Sequence, residues 1–251
     1  MVKTRRSGKL NLRLGNSRFC DDEDSDIEYE EEYDSGPSDS NLTSRGIFRL
    51  CGEVSEGNSN VLIDQLMLYM AQRQEGINAV NAAIVGEESE ERIENYKALL
   101  EKFSNQKVKL TLSTYGGSSM ETFGLFDILK LIEKEGITVQ TFGYGKVMSA
   151  GALLLSAGTK GERILTSNCR VMIHSVGAEC GGFLRTIKND VEEVEALQEI
   201  YISRLAENSH MKKKEIQQLF QSSENLYLSA EEAVKRGLAD KIASSFSFLV
   251  D

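Results

Sequence analysis

Histidine is scarce in this chain: there are 2 in 251 residues, His174 and His210. Any chemistry that needs imidazole rests on these positions. Cysteine is also sparse, and Cys20, Cys51, Cys169 and Cys180 show neither CxxC spacing nor the density of a secreted disulfide scaffold. This argues for reduced thiols in a reducing compartment and against a zinc site. No apolar run is long enough to span a bilayer, and the basic first residues are not followed by a hydrophobic signal region. A cytoplasmic location without membrane association is expected. Residues 1–20 are basic and contain serine, as an organelle transit segment does, but the switch to acidic residues directly afterwards fits that poorly. The formal charge of -10 argues against nucleic acid as a ligand of the folded part, because phosphate backbones need clustered Lys and Arg.

What is present is enough apolar material, 40% of residues, for one substantial domain with a core. The charge is unevenly spread. Residues 1–20 carry Lys3, Arg5, Arg6, Lys9, Arg13 and Arg18, whereas Asp21 to Asp34 is almost wholly acidic and runs into Gly36-Pro37-Ser38-Asp39-Ser40. Such a stretch cannot bury enough apolar area to offset its ordering entropy. Residues 1–42 are therefore expected to be a disordered charged arm, and residues 43–251 the folded domain. A removable propeptide or a docking arm is the functional alternative for the first part.

Order is expected to begin with a strand at Gly46–Leu50, followed by an apolar helical pattern through Val61, Leu62, Leu66, Met67, Tyr69 and Met70. The segment 76–106 then reads as an insertion. Its charged second half spaces Ile93, Tyr96, Leu99 and Leu100 at helical intervals, so a surface helix or hairpin is expected there. Val108–Leu112 alternates as a strand and runs into Ser113-Thr114-Tyr115-Gly116-Gly117, after which Met120–Glu133 reads as a buried helix. Ile137–Phe142 is a second strand, and Ser149–Ala157 is small and apolar enough for a buried helix. Strand, glycine turn and helix recur, which predicts an α/β fold with right-handed crossovers and a largely parallel sheet. Val171–Ile173 adds a strand that ends at His174. Leu184, Ile187, Val191, Val194, Leu197, Tyr201 and Leu205 then mark a long amphipathic helix. Ser229-Ala230-Glu231-Glu232 is a capping box, and Gly237 supplies the stop.

In an open parallel sheet, reacting groups sit beyond the carboxyl ends of the strands, where both glycine turns fall. A serine hydroxyl is a poor nucleophile at neutral pH and needs an imidazole within reach. Ser149 and His174 therefore read as nucleophile and base. The Gly117 amide at one turn and the Ala150 amide at the start of the helix after Ser149 can point to one place, the second aided by the helix dipole. Together they would form an oxyanion hole, each donor worth about 3 kcal/mol in the transition state. Each piece alone has a dull explanation as a turn, a cap or a packed imidazole. Their convergence at successive strand ends makes the case.

Residues 46 to 243 resemble the proteolytic subunits of the Clp protease, the ClpP family. Leu112-Ser113-Tyr115-Gly116-Gly117 matches its Asn-Ser-Pro-Gly-Gly turn with a residue inserted or shifted; Gly145 to Gly151 matches its Gly-x-Ala-x-Ser-Met-Gly elbow, and Met172 to His174 its Met-Ile-His strand end. Ser156-Ala157-Gly158-Thr159-Lys160-Gly161 also fits, as does Leu228 to Asp240 against Leu-Ser-Ala-x-Glu-Ala-x-x-x-Gly-Leu-x-Asp. The resemblance implies a ClpP/crotonase-like spiral core with a protruding helical handle, formed here by Leu184 to Leu205. It implies homo-oligomers, stacked heptameric rings around a chamber, hydrolysing peptide bonds of unfolded proteins delivered by an AAA+ unfoldase such as a Clp ATPase. It assigns Ser149 as nucleophile, His174 as base and then acid, and Gly117 with Ala150 as oxyanion donors. It sets Gly181-Gly182 on a glycine-rich strand near bound peptide. No cofactor or metal is implied.

The family's third triad member, an aspartate, falls on Asn225. Asparagine can orient the imidazole through its amide oxygen but brings no charge to stabilise imidazolium, and in the trypsin-type triad this change lowers turnover about ten-thousandfold. Glu224 is adjacent but faces the other way if the stretch is extended. Tyr115 replaces the family's proline, Ala150 its methionine and Ser175-Val176 its Gln-Pro. Three other readings remain: a catalytically weak subunit that co-assembles with an active paralogue, a head-maturation protease of viral type, and a crotonase-type acyl-CoA enzyme. His210, before a basic stretch, reads as a surface residue.

Overall fold

The computed structural model describes residues 42–222 and 225–246. The expected arm, residues 1–42, lies almost wholly outside them, as does Glu224. The described residues open with β1 (Ile47–Val54), α1 (Glu56–Ile84) and α2 (Glu90–Ser104). Then come β2 (Val108–Gly117), α3 (Ser119–Lys134), β3 (Val139–Met148) and α4 (Ala150–Ser156). Two short strands, β4 (Arg163–Leu165) and β5 (Arg170–Ile173), lead to α5 (Leu184–Glu207) and α6 (Lys213–Gln221). The described chain ends with β6 (Leu226–Leu228), α7 (Ala230–Lys235) and β7 (Lys241–Ile242).

The strands join in a 7-stranded sheet of order β1-β2-β3-β4-β7, with β5 paired to both β3 and β6. Every pair is parallel except β5 with β6. The expected α/β class with a largely parallel sheet is what forms. On the edge opposite β2, β3 serves two partners in turn: Thr141–Gly143 pair with β4, and Lys146–Met148 pair with β5. Between these stretches Gly145 takes φ 63°, a conformation open to glycine. The sheet divides there, and the division brings the ends of β3 and β5 side by side.

Serines begin several of the helices. Ser55, Ser89 and Ser118 each accept a hydrogen bond from the amide three residues on, and Ser229 completes the predicted capping box with Glu232. Helix α4 is buried along its whole length, against β2 and β3. Burial of Leu153, Leu154 and Leu155 supplies about 1.5–3 kcal/mol each, which anchors the helix that starts beside Ser149.

Segment 76–106 takes the helical form expected of its second half, but its first residues extend the preceding helix. α1 continues through Gly76 to Ile84, and α2 folds back along it as a helical hairpin. The reason is packing: a β-carbon on Gly76 would lie 2.7 Å from the Phe103 ring, so this glycine permits close helix contact. The long helix α5 splits differently. None of residues 184–196 is buried, whereas Leu197, Tyr201, Ile202 and Leu205 are. Its first half projects beyond the core as a handle, and its second half is part of the core.

Candidate active site

β3 ends at Met148, and Ser149 caps α4 with φ 55° and ψ -119°. It is the one non-glycine residue with positive φ among the described residues. Such a conformation costs about 1–3 kcal/mol and persists where its surroundings over-determine it. Here both flanking peptide groups are tied. The Ser149 amide donates to the Met172 carbonyl at 2.7 Å, and the Ser149 carbonyl accepts from the Ala152 amide at 2.9 Å and the Tyr201 hydroxyl at 3.0 Å. The turn is thereby held to β5, α4 and α5 together.

His174 follows the last residue of β5, and its Nε2 stands 2.9 Å from Ser149 Oγ. The two residues expected to act together do meet. Both are buried, with Ser149 1% and His174 7% exposed. Burial lowers the imidazole pKa from its ordinary 6.5, and the Ser175 backbone, hydrogen-bonded to the ring, works in the opposite sense. The net effect keeps the ring neutral at pH 7. A neutral ring can accept the proton of a neighbouring hydroxyl.

The glycine turn flanks this pair. A β-carbon on Gly116 would stand 2.6 Å from the Ser149 Cβ and 2.9 Å from its Oγ, and the Gly116 amide donates to Thr114 Oγ1 at 2.9 Å. That amide is occupied. Gly117 pairs with Val54 of β1, and Val54 accepts from the Ser118 amide at 2.7 Å. In a parallel ladder a residue bonds to the neighbours of its partner, so the Gly117 amide turns away from β1, toward the β3 side where Ser149 lies. Ala150 is the first residue of α4, and its amide has no carbonyl to meet within that helix. These are the two amides that the sequence pattern nominates as oxyanion donors.

Asn225 is not joined to the pair. β6 runs antiparallel to β5 with Ile173 opposite Leu226, so the next step of the ladder would set 225 beside 174. The Asn225 side chain is nevertheless exposed, and no hydrogen bond connects it to His174 among the described residues. In this structure Ser149 and His174 meet without Asn225, whose exposed side chain lies one residue outside the β5–β6 ladder. His210 lies apart from Ser149, packed against Gly237, with its amide donating to the Arg236 carbonyl. Gly181 and Gly182 are exposed and belong to no strand. Tyr201, buried and bonded to the Ser149 carbonyl, was not foreseen as part of the site. Its place on the apolar stripe of α5 was the available signal, since a buried phenol must find a partner.

A family model described as Clp protease matches residues 68–246. The chain belongs to the Clp protease family. It is 30% identical over 148 residues to the ATP-dependent Clp protease proteolytic subunit 2 of Chlamydia trachomatis serovar D, covering 59% of this chain and 70% of that protein. It is 30% identical over 145 residues to the ATP-dependent Clp protease proteolytic subunit 3 of a Synechococcus species, strain CC9605, covering 56% and 68%. The fold and the serine-type endopeptidase class inferred from the sequence are those of the Clp protease family.

Proposed function

We propose that this chain is a Clp proteolytic subunit in which Ser149 and His174 carry out peptide-bond hydrolysis. His174 Nε2 removes the Ser149 Oγ proton as the oxygen attacks the scissile carbonyl. The Gly117 and Ala150 amides stabilise the resulting oxyanion, and the imidazolium returns its proton to the departing amine. Water, activated by the same imidazole, then releases the acyl group from Ser149. The observation that carries this reading is the 2.9 Å contact between Nε2 and Oγ at a strained turn that packing holds in place. Labelling by a fluorophosphonate probe tests it: wild type should label and Ser149→Ala should not. Assembled protein that never labels would overturn it.

The family's relatives are named as subunits of an ATP-dependent protease, which supports the further reading that this chain forms homo-oligomeric rings, two stacked heptamers, and receives unfolded protein from a Clp ATPase. The projecting first half of α5, with Leu184 and Val191 exposed and Phe183 exposed just before it, offers apolar surface for packing between rings. Negative-stain images of the purified protein test the assembly directly.

The exposed Asn225, unbonded to His174, is the observation behind a second reading of the same site: a subunit of low intrinsic turnover that works beside an active paralogue. The pure protein would then label slowly and cleave peptides poorly. Ordinary peptidase rates in the homomeric form would eliminate this reading.

A further inference from the structure

The carbonyl of Ser149 and the amide of Ala150 belong to one planar peptide group and point in opposite directions. Whatever fixes that carbonyl also aims that amide. Two donors reach the carbonyl: the Ala152 amide from within α4, and the Tyr201 hydroxyl from α5 at 3.0 Å. We infer that the Tyr201 hydroxyl is a positioning group for catalysis, one that holds the Ser149–Ala150 peptide so that the Ala150 amide faces the developing oxyanion. The inference rests on the proposed roles of Ser149 and Ala150.

Several features specify this contact. Tyr201 is fully buried, and its ring stacks on Phe220 of α6 at 5.7 Å between centroids, so the phenol has little freedom to swing away. Burial pushes its pKa above the ordinary range, so the hydroxyl stays protonated and remains a donor. The strained φ of Ser149 means that the peptide would relax if released, and a bond to its carbonyl resists that rotation. One turn earlier on the same face of α5, Gln198 Oε1 accepts from the Val176 amide, two residues past His174. Thus α5 grips the chain beside the nucleophile and beside the base, and keeps the two strand ends in register.

Tyr201→Phe removes one oxygen and leaves the ring packed. If the inference holds, kcat falls about tenfold or more with KM little changed, because the lost alignment is felt where the oxyanion forms. Affinity for a peptide boronate, which mimics the tetrahedral state, should fall in parallel, while the acid limb of the pH profile stays in place. Leu62→Ala is the control: it opens a cavity in the core under α1, outside this contact, and should lower the melting temperature with little effect on kcat. Unchanged kcat and boronate affinity in folded Tyr201→Phe would overturn the inference, as would its failure to assemble, which would assign the hydroxyl to folding. Failure of the underlying reading looks different: wild type itself would not label at Ser149.

Discussion

Gly116 lies against Ser149 so closely that a methyl group on it would stand 2.9 Å from the serine hydroxyl oxygen. Its φ of 112° adds backbone strain for any side chain. Gly116→Ala should therefore displace the serine rather than merely soften the turn. The expected outcome is a fall in the fluorophosphonate labelling rate of about a hundredfold or more, in protein that retains its circular dichroism. Labelling near the wild-type rate would show that the turn can open without cost.

Burial holds the His174 pKa below its ordinary 6.5, only partly offset by the Ser175 backbone. The acid limb of kcat/KM should accordingly have its midpoint below pH 6.5, since the free enzyme needs the neutral ring. Stability has a matching sign. Below 6.5 the unfolded chain takes up the proton before the folded one, so this group's effect is to lower stability as pH falls from 6.5 toward the folded value. Urea unfolding of wild type and His174→Gln across this range checks it: the part of the acid slope due to His174 should disappear in the variant.

Much of this arrangement was legible in the sequence where a period or a motif spans enough residues. The β2–α3 and β3–α4 units were readable from alternating strands, glycine turns and apolar helices, and Ser149 and His174 from their position at strand ends. Strands β4, β6 and β7, of three residues or fewer, carry no period to detect. That α1 runs on through Gly76 has no signal in the pattern, because a glycine that permits helix contact looks in sequence like any other. Tyr201 was placed on the buried face of its helix, but spacing shows which side a residue occupies and not which carbonyl its hydroxyl meets. The ladder between β5 and β6 explains how the family's aspartate position falls near 174, yet only side-chain placement reveals that Asn225 is exposed and unbonded to the ring.

Because Asn225 makes no bond to His174, Asn225→Ala should leave kcat within about twofold of wild type. Asn225→Asp should act differently. A carboxylate one ladder step beyond Leu226 would be drawn to the imidazolium that forms during catalysis, and should raise kcat by about tenfold or more. The same charge should move the acid limb upward, because a nearby anion favours protonated His174. Steady-state peptide cleavage against pH reads both effects. A large loss in Asn225→Ala would instead place this side chain on the imidazole during turnover.

Arg163 anchors the end of the described chain to the sheet. Its side chain is buried and meets Asp240 through two parallel hydrogen bonds, Nε to Oδ2 at 2.8 Å and Nη2 to Oδ1 at 2.6 Å, while Nη1 donates to the Asn208 carbonyl. Asp240 also accepts from the Gly161 and Arg163 amides, and its own amide returns a bond to the Arg163 carbonyl. Burial alone would raise its pKa, but Arg163 and these amides outweigh it and hold the carboxyl below its ordinary 3.8. The contribution is therefore present above pH 3.8 and lost as pH falls through the lower folded value. Asp240→Asn keeps the shape but leaves Arg163 without its counter-charge in a buried place. That should cost about 3–5 kcal/mol near neutral pH. Denaturant titration should find the gap between wild type and Asp240→Asn narrowing in acid, as the wild-type carboxyl becomes protonated. A gap that stays constant down through that range would show that the pair holds β4 and β7 by shape rather than charge.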